Sequence, residues 1–252
     1  MKNIGITGQN GFVGSHLYNK LKAQKEEFNI VEFDRSFFDD QKKLQEFVSQ
    51  CDVIVHLAAI NRHDDEKVLY DTNVELAQKI KDTLIKAKVT PHVIFASSTQ
   101  EEKNNFYGDS KKKARQILAD WAKQYNAVFT GLIIPNVFGP FGKPFYNSVI
   151  STFCYQIARK ESPKIINDSE LNLIYIDELT EEITNIITEN ETDKKRIIRP
   201  RYKSKVSEIL TKLNNLKENG INYQLVNDFD LNLLKTLNSY MNTYKVLVLG
   251  SS

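Results

Sequence analysis

The chain has 252 residues, 41% hydrophobic and 26% charged, with a net charge of +2. That length allows one large domain, or a domain with a lobe, around a sizeable core. So small an excess of charge gives no push toward nucleic acid, and no run of about 18 apolar residues suggests a membrane span.

In chain order, "NIGIT" (3–7) reads as a buried strand and "GSHLYNKLKAQ" (14–24) as a helix, with Leu17 and Leu21 at helical spacing. "NIVEF" (29–33) is a strand, "QKKLQEFVSQ" (41–50) a helix, and "DVIVHLA" (52–58) a strand. "NVELAQKIKDTLIKAK" (73–88) is a long helix with Leu76, Ile80 and Leu84 in line. "HVIFASS" (92–98) is a strand, "SKKKARQILADWAKQY" (110–125) a helix, and "AVFTGLIIP" (127–135) a strand. Strands alternating with helices predict an α/β, Rossmann-type, doubly wound parallel sheet with right-handed crossovers.

Beyond "PNVFGPFGKP" (135–144) Gly and Pro cluster, and "NSVISTFCYQIARK" reads as a helix. Short strands and polar helices follow. This predicts a dinucleotide-binding domain over 1–140 and a smaller C-terminal α/β substrate lobe over 141–252, interleaved with the first. "ITENETDKKR" (187–196) reads as a surface loop or helix end, and the apolar tail "KVLVLGSS" as a strand or as residues foreign to the fold.

The two cysteines, Cys51 and Cys154, are far apart, which is no disulfide framework and fits a reducing cytosol. His16, His56, His63 and His92 lack ligand spacing, so no metal is expected. "MKNIGITGQNG" reaches glycines before an apolar signal region could form, so a cytoplasmic location is expected.

"ITGQNGFVG" places Gly8, Gly11 and Gly14 between the first strand and its helix. Gly8 allows a tight turn, Gly11 lets backbone approach a pyrophosphate, and Gly14 lets helix and strand pack closely. The N–H groups near Phe12 and Val13, beside Asn10, would then face the anion at the positive end of the helix dipole. Asp34 stands 20 residues after Gly14 (34 − 14), where a carboxylate holds adenosine ribose hydroxyls. Arg35 follows and would favour a 2′-phosphate, so NAD(H) and NADP(H) both stay open. The plain alternative for this pair is a solvated strand end.

"NNFYGDSKKKA" holds Tyr107 and, four residues on, Lys111. A phenol of pKa about 10 is a poor acid near neutrality. On one helical face, the ammonium would stabilise the phenolate and bring that pKa toward working pH. Ser98, at the carboxyl edge of its strand, could hold a substrate carbonyl. Asn73 opens the preceding helix, as an N-cap or as a support of the site. Lys112 and Lys113 read as a solvated helical turn.

The ordered series "TGQNGFVG", "DVIVHLAA", "NVELAQ", "FASST", "YGDSK", "PNVFGP" and "LIYIDEL" resembles the extended short-chain dehydrogenases/reductases of the NAD-dependent epimerase/dehydratase family. The resemblance covers about residues 3–180. It implies a nucleotide-sugar enzyme with a nicotinamide cofactor and Ser98, Tyr107 and Lys111 as catalytic triad. It also implies Lys111 on the nicotinamide ribose, with Leu57, Ala58, Ala59, Asn73 and Pro135 along the cofactor, and a homodimer through helices 73–88 and 110–125. "PFYNSVISTFCYQIARKE" and "NDSELNLIYIDEL" are similar to the reductase part of capsular-polysaccharide enzymes acting on UDP-2-acetamido-2,6-dideoxy-hexos-4-ulose, precursors of N-acetyl-L-fucosamine. In that group a cupin domain follows and epimerises the sugar. The sequence ends where it would begin, so epimerisation is expected elsewhere or the substrate differs.

Two departures matter. Thr99 and Gln100 stand where family dehydratases carry an acidic pair, which disfavours dehydration. Ile133 stands where many members carry an arginine. Thr99, Gln100, Asn136 and Asn147 are the expected substrate contacts, the two asparagines having turn-capping amides as their plain alternative. The expected reaction is NAD(P)H-dependent reduction of the C4 ketone of a UDP-linked 6-deoxy sugar. The alternatives are a redox-neutral 4-epimerase holding NAD tightly and a non-catalytic cofactor-sensing protein.

Overall fold

Strands covered on both faces need continuous apolar runs. In β1 (Lys2–Thr7) residues 4–7 are buried, and β3 (Val53–His56) and β5 (Phe129–Ile134) are buried throughout. The computed structural model describes residues 1–219 and 227–249. Among them, six strands form one sheet in the order β2 (Phe28–Val31), β1, β3, β4 (His92–Ser98), β5 and β8 (Asp193–Ile197), and every pairing is parallel. From β1 the chain runs outward to β2 and then returns to β3 on the other side of β1. The switch point of this doubly wound sheet therefore lies between β1 and β3, where ligands sit beyond the carboxyl ends.

The helices are α1 (Phe12–Ala23), α2 (Gln41–Gln50), α3 (Glu66–Ala87), α4 (Phe106–Tyr125), α5 (Val149–Ala158), α6 (Ile176–Glu189), α7 (Val206–Asn219) and α8 (Asp228–Leu249). Leu44 and Phe47 of α2, Ile80 and Leu84 of α3, and Leu118 and Trp121 of α4 pack with Ile54, Phe95 and Phe129 of the sheet in one buried core.

The chain divides into two compact units: residues 1–134 with 180–198, and 135–179 with 199–252. The first holds the parallel sheet. The second holds a three-stranded sheet in the order β6 (Asn136–Phe138), β7 (Glu170–Tyr175), β9 (Tyr202–Lys205), with β7–β9 antiparallel. Its centre is aromatic: Phe138 meets Tyr175 at 5.4 Å, and Tyr202 stacks on Phe229 at 4.9 Å.

Several boundaries differ from the sequence reading. α3 begins at Glu66, capped by Asp65, whose side chain accepts from Lys67 and Val68 N–H. Asn73 therefore lies inside the helix and is neither its first residue nor its cap. A buried Asn in the stripe Leu69, Asn73, Ala77, Ile80 broke the apolar periodicity. α4 begins at Phe106, earlier than residue 110, because Asn105 Oδ1 accepts from Gly108 N–H at 2.8 Å. β2 ends at Val31 and β3 at His56, so Asp34, Leu57 and Ala58 stand in loops. Asp34 opens a 3₁₀ turn by accepting from Ser36 N–H. Residues 193–197 form edge strand β8, whose charged, exposed sequence hid it. Residues 245–249 continue helix α8, where β-branched propensity is overridden by an established helix, and 250–252 lie outside the described residues.

Candidate active site

The glycine loop leaves β1 at the switch point. Gly8 has φ +80°, a conformation that L side chains rarely adopt, and a Cβ there would stand 2.9 Å from Ala58 N. A Cβ on Gly14 would meet Gly8 O at 2.1 Å. Helix α1 starts on Gly11, which offers no side-chain cap, and its first turn carries no acidic residue. Bare backbone at the positive end of a helix suits a pyrophosphate, so these residues fit a dinucleotide. The loop after β3 is fixed beside it: Leu57 N–H donates to Thr7 O at 3.1 Å and Ala58 N–H to Thr7 Oγ1 at 3.4 Å. Gln9 Nε2 donates to Phe33 O at 2.7 Å, tying the glycine loop to the segment that carries Asp34 and Arg35. Asn10 and both of those charged residues are exposed. Hydrogen bonds from Ser36 side chain and N–H hold the Asp34 carboxyl below its usual range.

Ser98 ends β4, paired in register with Ile134, and its Oγ accepts from Gln100 N–H at 3.2 Å. Thr99 is exposed and Gln100 half-buried in the 3₁₀ turn that follows. α4 then presents Tyr107 and Lys111 one turn apart. Tyr107 is half-buried and lines an open cavity of about 620 Å³ with Asn61, Arg62, His63 and Asn105. Lys111 is 3% exposed, and its Nζ rests 4.5 Å from the centroid of the Phe95 ring. Burial pushes its pKa down to about 8, against the pull of the Glu101 carboxylate. His56 sits below with its Nδ1 2.6 Å from Thr7 Oγ1. Burial, aided by the Lys111 charge, lowers its pKa to about 3, so it is neutral.

Asn73 holds the frame together. Its Oδ1 accepts from Ile60 N–H at 2.8 Å, and its Nδ2 donates to Ile60 O at 2.9 Å and to Ser110 Oγ at 3.0 Å. Ser110 Oγ in turn donates to Tyr107 O at 2.7 Å. One buried amide thus joins the loop after β3 to the turn that carries Tyr107. Pro135, Asn136 and Asn147 fall in the second unit. Asn136 Nδ2 donates to Asn172 O at 3.2 Å, and Asn147 is exposed just before Ser148, the cap of α5.

The sequence profile described as the NAD dependent epimerase/dehydratase family matches residues 4–199. The chain belongs to that family. It is of the extended short-chain dehydrogenase/reductase type. A curated relative, the UDP-2-acetamido-2,6-beta-L-arabino-hexul-4-ose reductase of Pseudomonas aeruginosa, is 30% identical over 210 residues, 82% of this chain and 56% of that protein. The chain thus spans about half that relative's length. The crystal structure of the capsular polysaccharide assembling protein CapF from Staphylococcus aureus superposes with a TM-score of 0.81 at 30% identity, covering 96% of this chain and 66% of that one. At 15% identity, RMD from Pseudomonas aeruginosa, solved with NADPH, shares the fold with a TM-score of 0.83 over 96% of this chain and 98% of that one. The fold class and family read from the motifs are those found.

Reading the motifs missed Gly108, Ser110, Glu101 and Arg115. A Cβ on Gly108 would stand 2.0 Å from Gln100 O, so only glycine lets the start of α4 close on the turn after Ser98. The "YG" pair was a signal available for it. Among the described residues no helix is long and apolar enough to cross a membrane, and no group of His, Cys, Asp and Glu is placed to hold a metal. Cys51 and Cys154 are both buried free thiols.

Proposed function

We propose that this chain reduces the C4 ketone of a UDP-linked 6-deoxy-4-keto amino sugar with NADPH or NADH, in the supply of polysaccharide precursors. The observation that carries the reading is Lys111: a buried ammonium over Phe95, one helical turn from Tyr107, in a chain similar to a named keto-sugar reductase.

Bound at the glycine loop, a reduced nicotinamide supplies hydride. The protein's part is to orient the sugar and to manage one proton. Ser98 Oγ accepts from Gln100 N–H, which leaves its own O–H to donate to the C4 carbonyl oxygen. Tyr107 gives its phenolic proton to the oxyanion that develops there, and Lys111 stabilises the phenolate left behind. The same ammonium holds nicotinamide-ribose hydroxyls. Gly8, Gly11, Gly14, Asn10 and the N–H groups of Phe12 and Val13 hold the pyrophosphate. Asp34 takes the adenosine ribose or Arg35 a 2′-phosphate, while Leu57, Ala58, Ala59, Asn73 and Pro135 border the cofactor. Thr99, Gln100, Asn136 and Asn147 contact the sugar nucleotide. Thr99 and Gln100 after Ser98 offer no carboxylate at those two positions, which disfavours dehydration. A cytoplasmic homodimer paired through α3 and α4 completes the reading.

The test is a label. With the ketosugar and cofactor deuterated at nicotinamide C4, one equivalent of cofactor is consumed and deuterium appears at sugar C4. Interconversion of two sugars without net consumption would replace this reading with the redox-neutral epimerase.

A further inference from the structure

Lys111 and Arg115 follow Tyr107 at intervals of four on α4, so both cations share its face, and both are buried, 3% and 8% exposed. Two like charges one turn apart repel. Between β4 and α4, Glu101 is 6% exposed. It accepts from Arg115 Nε at 2.8 Å and Nη2 at 2.7 Å, and from the hydroxyl of Ser97, the residue before Ser98. Arg115 Nη1 reaches Lys194 O at 2.9 Å. The carboxylate is thus clamped on both oxygens, with its position fixed between the strand end and the Tyr107 face of α4.

A buried ion pair is weak evidence for stability, because apolar residues of the same volume often do as well. The placement asks for another role. We propose that Glu101, clamped by Arg115 and Ser97, is a positioning residue for Lys111: its fixed negative charge keeps the buried ammonium protonated at the pH where Tyr107 must deliver its proton. This rests on the reading of Tyr107 and Lys111 given above.

The other groups facing Lys111 do not supply that charge. From β3 comes His56, which is neutral. From β4 comes the Phe95 ring. Its own helix offers Tyr107 and the cation Arg115. Burial works to lower the charge on Lys111, and Glu101 is the group that opposes it. Glu101 itself stays ionised: burial would raise its carboxyl, but the bonds from Arg115 and Ser97 outweigh that, with Lys195 of β8 adding to them.

The experiment follows the Lys111 titration directly, by NMR of protein labelled with ¹³C at lysine Cε, assigned with Lys111→Arg. In Glu101→Gln the Lys111 midpoint falls by at least roughly half a pH unit, and Glu101→Asp recovers part of it. The alkaline limb of kcat/KM moves down in step. For a fall of half a unit, activity drops about twofold at pH 8 and is nearly unchanged at pH 6, the charged fraction changing only near the midpoint. If Glu101→Gln does not fold, Glu101→Gln with Arg115→Met removes the guanidinium that would otherwise be left unpaired, and it is expected to give a smaller shift of the same sign. A midpoint unmoved in the folded variant, or a loss of activity equal at all pH values, would overturn the proposal. The NMR midpoint does not depend on the reaction. Should it shift while Lys111→Met keeps full activity, the proposed function falls and the Glu101–Lys111 coupling stands.

Discussion

The segment from β4 into α4 and the segment from β6 to α5 are built in opposite ways. In the first, Ser98 and Lys111 are surrounded by fixed partners: Asn73 and Ser110 hold the Tyr107 turn, Gly108 closes on Gln100, and Arg115 clamps Glu101. In the second, Phe141 and Phe145 are 72% and 57% exposed and carry left-handed backbone, φ +64° and +56°. Chemistry needs groups held to fractions of an ångström and belongs on rigid elements. Loops with exposed rings leave room for recognition and for change. In the proposed reading the first segment therefore performs the reaction, and the second, flanked by Asn136 and Asn147, meets the sugar nucleotide.

The contrast breaks most readily at Gly108. With a Cβ 2.0 Å from a backbone oxygen, Gly108→Ala cannot be absorbed by a side-chain shift. It is expected to cost about 2–4 kcal/mol in urea denaturation and to lose most activity. A cost below about 0.5 kcal/mol, the range of an ordinary surface change, would remove the rigid half of the comparison.

Lys111 gives the next effect. Its depressed pKa means that the unfolded chain binds the proton more tightly, so stability rises with pH between about 8 and 10.5. Below about 8 the full penalty applies, roughly 3 kcal/mol before relaxation. Lys111→Met is therefore expected to raise stability by about 1–3 kcal/mol at pH 7, to flatten the alkaline rise and to abolish turnover. Equal loss of stability and activity would make Lys111 a structural residue.

The smallest effect is expected in the loop. Phe141→Gly removes a left-handed side chain that is mostly solvated, so stability should rise by up to about 1 kcal/mol while KM for the sugar nucleotide increases. A loss as large as that of Gly108→Ala would show the two segments to be alike.

What was legible in the sequence was local. The glycine spacing, the strand ending at Ser98 and the Tyr107–Lys111 interval depend on neighbours within one turn or one strand, and the order of elements then dictated the sheet. What was hidden was tertiary. Asn73 reads as a helix start because nothing nearby reveals that Ser110, 37 residues on, and Ile60 satisfy a buried amide in mid-helix. Glu101 and Arg115, 14 residues apart, carry no local mark of a pair, and it is the fold that buries them against each other. β8 was hidden because its charged edge lacks alternation and is a strand by virtue of its pairing with β5.

The account is tested most directly by Tyr107→Phe, which keeps the ring and removes the proton. With the UDP-linked ketosugar and NADPH or NADH, turnover is expected to fall on the order of a thousandfold, while cofactor affinity measured by fluorescence changes less than about threefold. A variant that keeps more than about a tenth of wild-type turnover would contradict the assignment of Tyr107 as proton donor.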